Sequence, residues 1–213
     1  RECNFISENS GTEFLFSHMG VFFNDNIDSA KKEIKNERVC KYFETNNKDA
    51  KESFSYLIEE NIVPTSSTFF KKECLNRTGT FNENLKSGED LDLWLRLSLY
   101  CKVGFLNEVL IFRRRHNDNL VNDFVLRQET LLQVLEGFKN STYKLDPVQN
   151  KKIRKKIGPV CYELGSYLFL KRKFKEAQRY FIQSLKSGHA DIKIIIKMLL
   201  TSLMSHFQYH KVK

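Results

Sequence analysis

Apolar and polar positions follow two different periods along this chain, and the period changes from one segment to the next. TEFLFSHMGVFFND, residues 12 to 25, is dense in Phe and Val with polar residues between them, which predicts a strand or a strand pair stopped by Asn24-Asp25-Asn26. Residues 27 to 50 are polar and predict a loop. From Ser53, SFSYLIEEN has the spacing of a short helix; from Val63, VPTSSTFFKKECL passes from strand to helix; from Arg77, RTGTFNENL reads as turn and coil. KVGFLNEVLIFRRRH, from Lys102, predicts two short strands, and VNDFVLRQETLLQVLEGF, from Val121, a long amphipathic helix. Strands alternating with helices imply an α/β layer fold.

The stretch KSGEDLDLWLRL, residues 86 to 97, combines apolar density with crowded charge. Leu91, Trp94, Leu95 and Ser98 form one stripe at helical spacing and Leu93, Leu97 and Tyr100 a second, so nearly the whole circumference is expected to be buried. Ser87 stands three residues before Asp90, the spacing at which a hydroxyl and a carboxylate cap free amides, and this puts the first turn near Gly88. Asp92 and Arg96 make an i, i+4 pair on what surface remains. Two readings of the acid trio Glu89, Asp90 and Asp92 are open. The helix dipole favours negative charge at this end, by roughly 0.3–1 kcal/mol for each group; alternatively, one acid is a working carboxylate held at the mouth of a cleft by a buried element. Asp90-Leu-Asp92 also spells a D-x-D metal motif, but residues two apart on a helix project about 200° from one another and cannot grip one ion.

Composition bounds the remaining options. With 213 residues, 41% hydrophobic and 13% aromatic, the chain can bury a core in one domain plus a smaller appendage. Only 3 prolines and 9 glycines exclude collagenous or low-complexity material. Cysteines stand at positions 3, 40, 74, 101 and 161 with no C-x-x-C pair and no His at zinc spacing, which favours a reducing, cytoplasmic setting over a disulfide framework or a zinc cluster. No window reaches the ~18 consecutive apolar residues of a membrane span. Arg1 opens no signal segment, and the chain reads as a piece of a longer protein. Charge is divided unevenly: residues 139 to 213 carry 17 Lys+Arg against 4 Asp+Glu, the first 138 carry 18 against 22, and KNSTYKLDPVQNKK at the junction has the polar residues of a connector. Two modules are expected, 1–138 and 139–213.

One run carries a family resemblance. From Thr65 to Leu120 come, in order, a strand starting in small residues, a helix ending before Gly79-x-Phe81-x-Glu83, the Glu89-Asp90 helix with Leu93-Trp94-Leu95-Arg96, a strand pair, and Arg114-x-His116. This order resembles the acceptor half of family 2 glycosyltransferases of the GT-A fold. The fold implied for 1–138 is the C-terminal, acceptor-side part of a GT-A domain, followed by a small all-α helical-hairpin module. The activity implied is inverting transfer of a sugar from a nucleotide-diphospho-sugar donor to a hydroxyl of a cell-surface glycan or lipid-linked acceptor.

Roles follow from the resemblance residue by residue. Asp90 corresponds to the general base that takes the proton of the acceptor hydroxyl, and Glu89 beside it to a tuning or acceptor-contact acid. His116 and Arg114 correspond to the Arg-x-His that approaches the donor diphosphate and its divalent cation, Mg2+ or Mn2+, with His116 as the metal ligand. A ring nitrogen can ligate metal and a guanidinium matches phosphate oxygens; by themselves the same residues are an exposed basic strand end. Thr65, Ser66 and Ser67 fall where the family's acceptor pocket begins, and Trp94 is assigned to the same pocket, although small hydroxyl residues at a strand start also serve packing. The chain departs from the pattern in placing Arg113 where an aromatic is common, with Phe112 one residue earlier, so which of Arg113, Arg114 and Arg115 faces the site is open. The family's own D-x-D and nucleotide-binding elements would precede Arg1, and the chain by itself is not expected to turn over.

The basic module has its own resemblance. In CYELGSYLFLKRKFKEAQRYFIQSLKSGHA, from Cys161, the residues Leu164, Gly165, Leu168, Ala177, Phe181 and Ser184 stand at the spacing of a 34-residue tetratricopeptide-like helix pair, with Cys161 in place of the usual Trp and His189 in place of Pro. A plain helical hairpin and a peptide-binding repeat are both open, and a noncatalytic repeat scaffold with a vestigial α/β part is the rival to the enzyme. The basic runs at 151–156 and 171–175, with IKIIIKMLLTSLM from Ile192, suit attraction to an anionic membrane surface and a peripheral position on the inner face of the cell membrane. Nucleic acid is not expected as a partner, since no aromatic-studded strand accompanies the charge.

Overall fold

The computed structural model describes residues 2–9, 11–23, 31–32, 41–43, 50–115, 124–141 and 143–211. The chain forms two compact units, Arg1–Asn122 and Asp123–Lys213. The boundary therefore falls before the helix at 124–140, not after it as charge alone had placed it. The physical reason is that this helix packs on the next one in the chain, so burial of its apolar face outweighs the change in charge density.

The first unit is mixed α/β. Helix α1 (Glu2–Glu8) precedes strand β1 (Phe14–Phe23), a single strand rather than a pair. β1 runs parallel to β4 (Val103–Arg115) along its whole length. On its other edge it pairs antiparallel with β3 (Thr68–Phe70) through Phe14–Phe16 and with β2 (Lys31–Lys32) through Gly20–Val21. Much of the 27–50 stretch expected as loop lies outside the described residues. The segment expected as two short strands is the one 13-residue strand β4, interrupted by register shifts opposite Ser17–Met19. Asn107, Glu108 and Leu110 are the residues that the partner strand skips.

Helices close one face of this sheet. α2 (Ala50–Leu57) packs on α4 (Glu89–Tyr100), and α3 (Lys72–Thr78) lies against α4 as well. Six consecutive residues of α4, Leu93 to Ser98, are buried. That bears out the expectation of a helix enclosed around most of its circumference, because a surface helix buries only one stripe. Its anchor is Trp94, stacked on Phe14 with ring centroids 5.2 Å apart and met at its edges by Phe70 and Phe81.

The second unit is helical: α5 (Phe124–Asn140), α6 (Pro147–Leu170), α7 (Phe174–Lys186) and α8 (Ile192–Lys211). α6 starts at a capping box in which the Asp146 carboxylate accepts from the Gln149 amide while the Gln149 side chain accepts from the Asp146 amide. α6 and α7 are joined by three residues and pack along one another. Leu164, Leu168, Ala177, Phe181 and Ile194 form the core of this unit. Gly165 is needed there, since a Cβ on it would lie 2.9 Å from the Phe181 ring. No described helix is long and apolar enough to cross a membrane.

Candidate functional site

The acidic start of α4 is built differently from a capping box. Its N-cap is Gly88 in the left-handed region at φ 67°, and no side chain caps it. A capping hydroxyl works from an extended N-cap residue, so Ser87, one residue earlier, is not in position. Asp90 is thereby released from the role the sequence gave it. One of its oxygens, Oδ1, accepts the Leu91 amide at 2.6 Å, and Oδ2 accepts the Thr65 hydroxyl at 3.1 Å. Thr65 lies on the 3-10 turn Thr65–Ser67 that leads into β3. Two residues expected at one site, 25 positions apart, are therefore in direct contact.

The other acids diverge. Glu89 is exposed. Asp92 turns to Arg96, whose Nη2 and Nε lie 2.6 and 3.0 Å from its Oδ2. That the two aspartates of Asp90-Leu-Asp92 take partners on different elements agrees with dismissing the D-x-D. The Asp92–Arg96 pair was expected on the surface and is not there: Arg96 is buried, and its guanidinium also donates to the carbonyls of Thr78 at 2.6 Å and Thr80 at 2.8 Å. Those carbonyls end α3 and begin the following turn, so a cation drawn under the helix has a partner at each of its three nitrogens and ties α4 to the segment before it. The i, i+4 spacing showed the pair but gave no sign of these two partners, 16 and 18 residues upstream.

The three hydroxyl residues of 65–67 separate in the same way. Thr65 and Ser66 are exposed, whereas Ser67 is buried and donates to the Ser17 carbonyl at 2.9 Å. Ser67 is thus a bolt between the turn and β1 and not a pocket surface. Trp94, expected in the acceptor pocket, is 1% exposed. Its physical role is the core packing just described, and it offers no face to a ligand.

Arg114 pairs in register with Phe22, and its guanidinium lies 5.8 Å from the centre of that ring. Side chains two apart on a strand share a face. Phe14, which receives Trp94, and Phe22 therefore point to one side of β1, and Arg114 joins them. Phe112 stands on that side too, its ring covering Gly20 so closely that a Cβ there would lie 2.5 Å from it. Arg113, in register with Val21, belongs to the opposite face. Arg114 is the arginine on the α4 side, displaced along the strand from Ser17, where the Thr65–Ser67 turn is bolted, by five residues or about 16 Å. His116 lies outside the described residues, as does the Arg115 side chain. Among the described residues no group of three His, Cys, Asp or Glu could hold a metal ion.

One cluster escaped the sequence reading altogether. Arg77 on α3 donates to Glu13 Oε1 at 2.6 Å and to the Tyr100 carbonyl at 3.0 Å, and touches the sulfurs of Cys74 and Cys101 at 3.6 Å. Burial pushes the Cys101 thiol well up, helped by its hydrogen bond with Cys74, so this thiol stays protonated and unreactive. The arginine holds the end of α4 to α3 and to the start of β1. Its partners lie up to 64 residues away in sequence, beyond any local signal.

No family model matches the chain, and no curated protein matches it.

Proposed function

We propose that the first unit is the acceptor-side half of an inverting glycosyltransferase of the GT-A type, with Asp90 as its general base. The observation that carries the reading is the Thr65–Asp90 contact. It supports a carboxylate presented at a helix start, half-buried but reachable, with one oxygen steadied by a backbone amide and the other by a hydroxyl on a neighbouring turn. In the reaction the acceptor oxygen bonds to the anomeric carbon of the donor sugar, the bond from that carbon to the nucleoside diphosphate breaks, and the acceptor proton passes to the carboxylate. Glu89, exposed beside it, is assigned to acceptor contact. Arg114, on the same face of the sheet, is assigned to the departing diphosphate. A divalent cation, with His116 as its ligand, remains an implication of the resemblance, and the steps above route no bond change through it. The acceptor is a hydroxyl of a glycan or of a lipid-linked sugar.

The test is Asp90→Asn in the natural full-length protein. Asn keeps the shape and can hold both neighbours, so the urea midpoint read from Trp94 fluorescence should not move. Release of nucleoside diphosphate should fall by roughly 10²–10⁴-fold, the usual worth of a general base. Undiminished transfer with intact folding removes Asp90 from this role. Absence of any transfer by the unaltered full-length protein instead favours the second reading, a noncatalytic helical-repeat scaffold, which draws its support from the tetratricopeptide-like positions: Leu164, Leu168, Ala177, Phe181 and Ser184 are all buried at the α6–α7 crossing.

A further inference from the structure

The last helix presents an apolar face that no described residue covers. Ile192, Ile195, Ile196, Leu199, Leu200 and Leu203 are each at least 41% exposed. At 100° per residue they fill an arc of about 140°, opposite Ile194 and Thr201, which are buried against the helical unit. A contiguous apolar stripe of this kind on a folded surface marks a docking face.

Charge decides what docks. Residues 123 to 213 carry 18 Lys+Arg against 7 Asp+Glu, and 192 to 211 include no acid at all. Two copies meeting through this face would set an excess of like charge against itself, with no acid on either α8 to pair it. An anionic surface receives attraction from the same charges. The basic runs also stand at both ends of the stripe. Gln178, just after the 171–175 run, donates to Ser202 on α8 at 2.7 Å. Gly158, just after the 151–156 run, is packed against His189, three residues before α8 begins, with room for no Cβ. In these runs Lys151, Arg154, Lys155, Lys171, Arg172, Lys173 and Lys175 are exposed, and Lys193 is exposed on the rim of the stripe itself.

We propose that the exposed face of α8 docks in the plane of an anionic lipid bilayer, with the apolar stripe entering the headgroup boundary and the two basic runs holding lipid headgroups on either side. This is the pairing of apolar face and basic flank by which an in-plane helix binds a membrane, and it does not depend on the glycosyltransferase reading.

The test is flotation of the full chain with vesicles of phosphatidylcholine alone and of phosphatidylcholine with about 30% phosphatidylglycerol, at low and high salt. Binding is expected only to the anionic vesicles. It should weaken at least tenfold in Ile196→Glu/Leu199→Glu and again in Lys155→Glu/Lys171→Glu/Lys173→Glu. All five positions are exposed, so circular dichroism should show both variants folded. Equal binding to neutral vesicles, no binding to either, or undiminished binding by the folded stripe variant overturns the proposal. So does a concentration-dependent dimer that the stripe variant dissolves while vesicle binding is absent, which would give the face to a second copy. RNA binding that survives the stripe variant, in a chain that ignores vesicles, would give the basic runs to nucleic acid.

Discussion

Removing the Asp92 carboxylate separates the surface pair that the sequence implies from the buried clamp in the structure. An exposed i, i+4 pair is worth about 0.3–0.5 kcal/mol. Here the side chains of Arg96 and Asp92 are 7% and 14% exposed, and the guanidinium spends two nitrogens on one carboxylate oxygen. Asp92→Ala leaves a cation enclosed with two carbonyls and no anion. Breaking a buried pair from one side costs about 3–5 kcal/mol. The surviving bonds to Thr78 and Thr80 and the residual water at the carboxylate place the expected loss at the lower end, about 3 kcal/mol. With a urea slope of about 2 kcal/mol/M, the midpoint should fall by roughly 1.5 M. Trp94 is the single tryptophan, buried on the same helix and stacked on Phe14, so its fluorescence reports this unit alone. The double variant Asp92→Ala/Arg96→Met removes both charges and leaves an apolar side chain in the arginine's place, and should regain more than half the loss. A loss of about 0.5 kcal/mol or less in the single variant, or a double variant no more stable than the single one, would refute the buried clamp.

Other consequences can be measured in parallel. Thr65→Val takes the hydroxyl from Asp90 while keeping its shape, and on the proposed reaction should lower transfer by roughly tenfold without moving the urea midpoint. Gly165→Ala should destabilise the helical unit by about 1–3 kcal/mol, because its Cβ would meet the Phe181 ring at 2.9 Å and the Ala177 carbonyl at 3.2 Å. Gly137→Ala on α5, where a Cβ meets nothing within 4 Å, should stabilise it by about 0.5–1 kcal/mol; thermal circular dichroism reads both signs. Burial, with Glu136 nearby, pushes the Cys161 thiol from 9.0 up to about 12. Burial and the hydrogen bond to Glu129 push Tyr180 from 10.0 up to about 12. The folded unit keeps protons that the unfolded chain releases, so stability should be at its full value below pH 9 and fall as pH rises from there toward about 12. Cys161→Val should flatten that fall, and a thermal midpoint independent of alkaline pH would refute the linkage.

What was legible in the sequence is what local periodicity can carry. α4 was readable because Leu, Trp and Leu recur on every side of it, and the α6–α7 pair because small residues recur where two helices cross; burial of Leu93 to Ser98 and of Gly165 follows from those patterns. Short-range chemistry was less secure even where its residues were correctly named. Ser87 and Asp90 had the spacing of a capping box, but Gly88 enters the helix from the left-handed region, and Asp90 is held by Leu91 and Thr65 instead. A cap is decided by the backbone angles of one residue, and a glycine permits angles that no spacing rule anticipates. The parallel pairing of β1 with β4 joins residues about 90 apart, so neither the unbroken length of β4 nor its register shift could be read from its own alternation. Arg96 makes the same point energetically. The spacing found its nearest partner, and the partners that bury it, the carbonyls of Thr78 and Thr80, came from a turn whose position depends on the fold already being formed. The candidate site inherits both halves of this division. Asp90 was legible as an acid at the start of a buried helix, while the hydroxyl that meets it comes from another element 25 residues away, so the contact on which the functional reading rests exists only once the turn at Thr65 is bolted to β1 through Ser67.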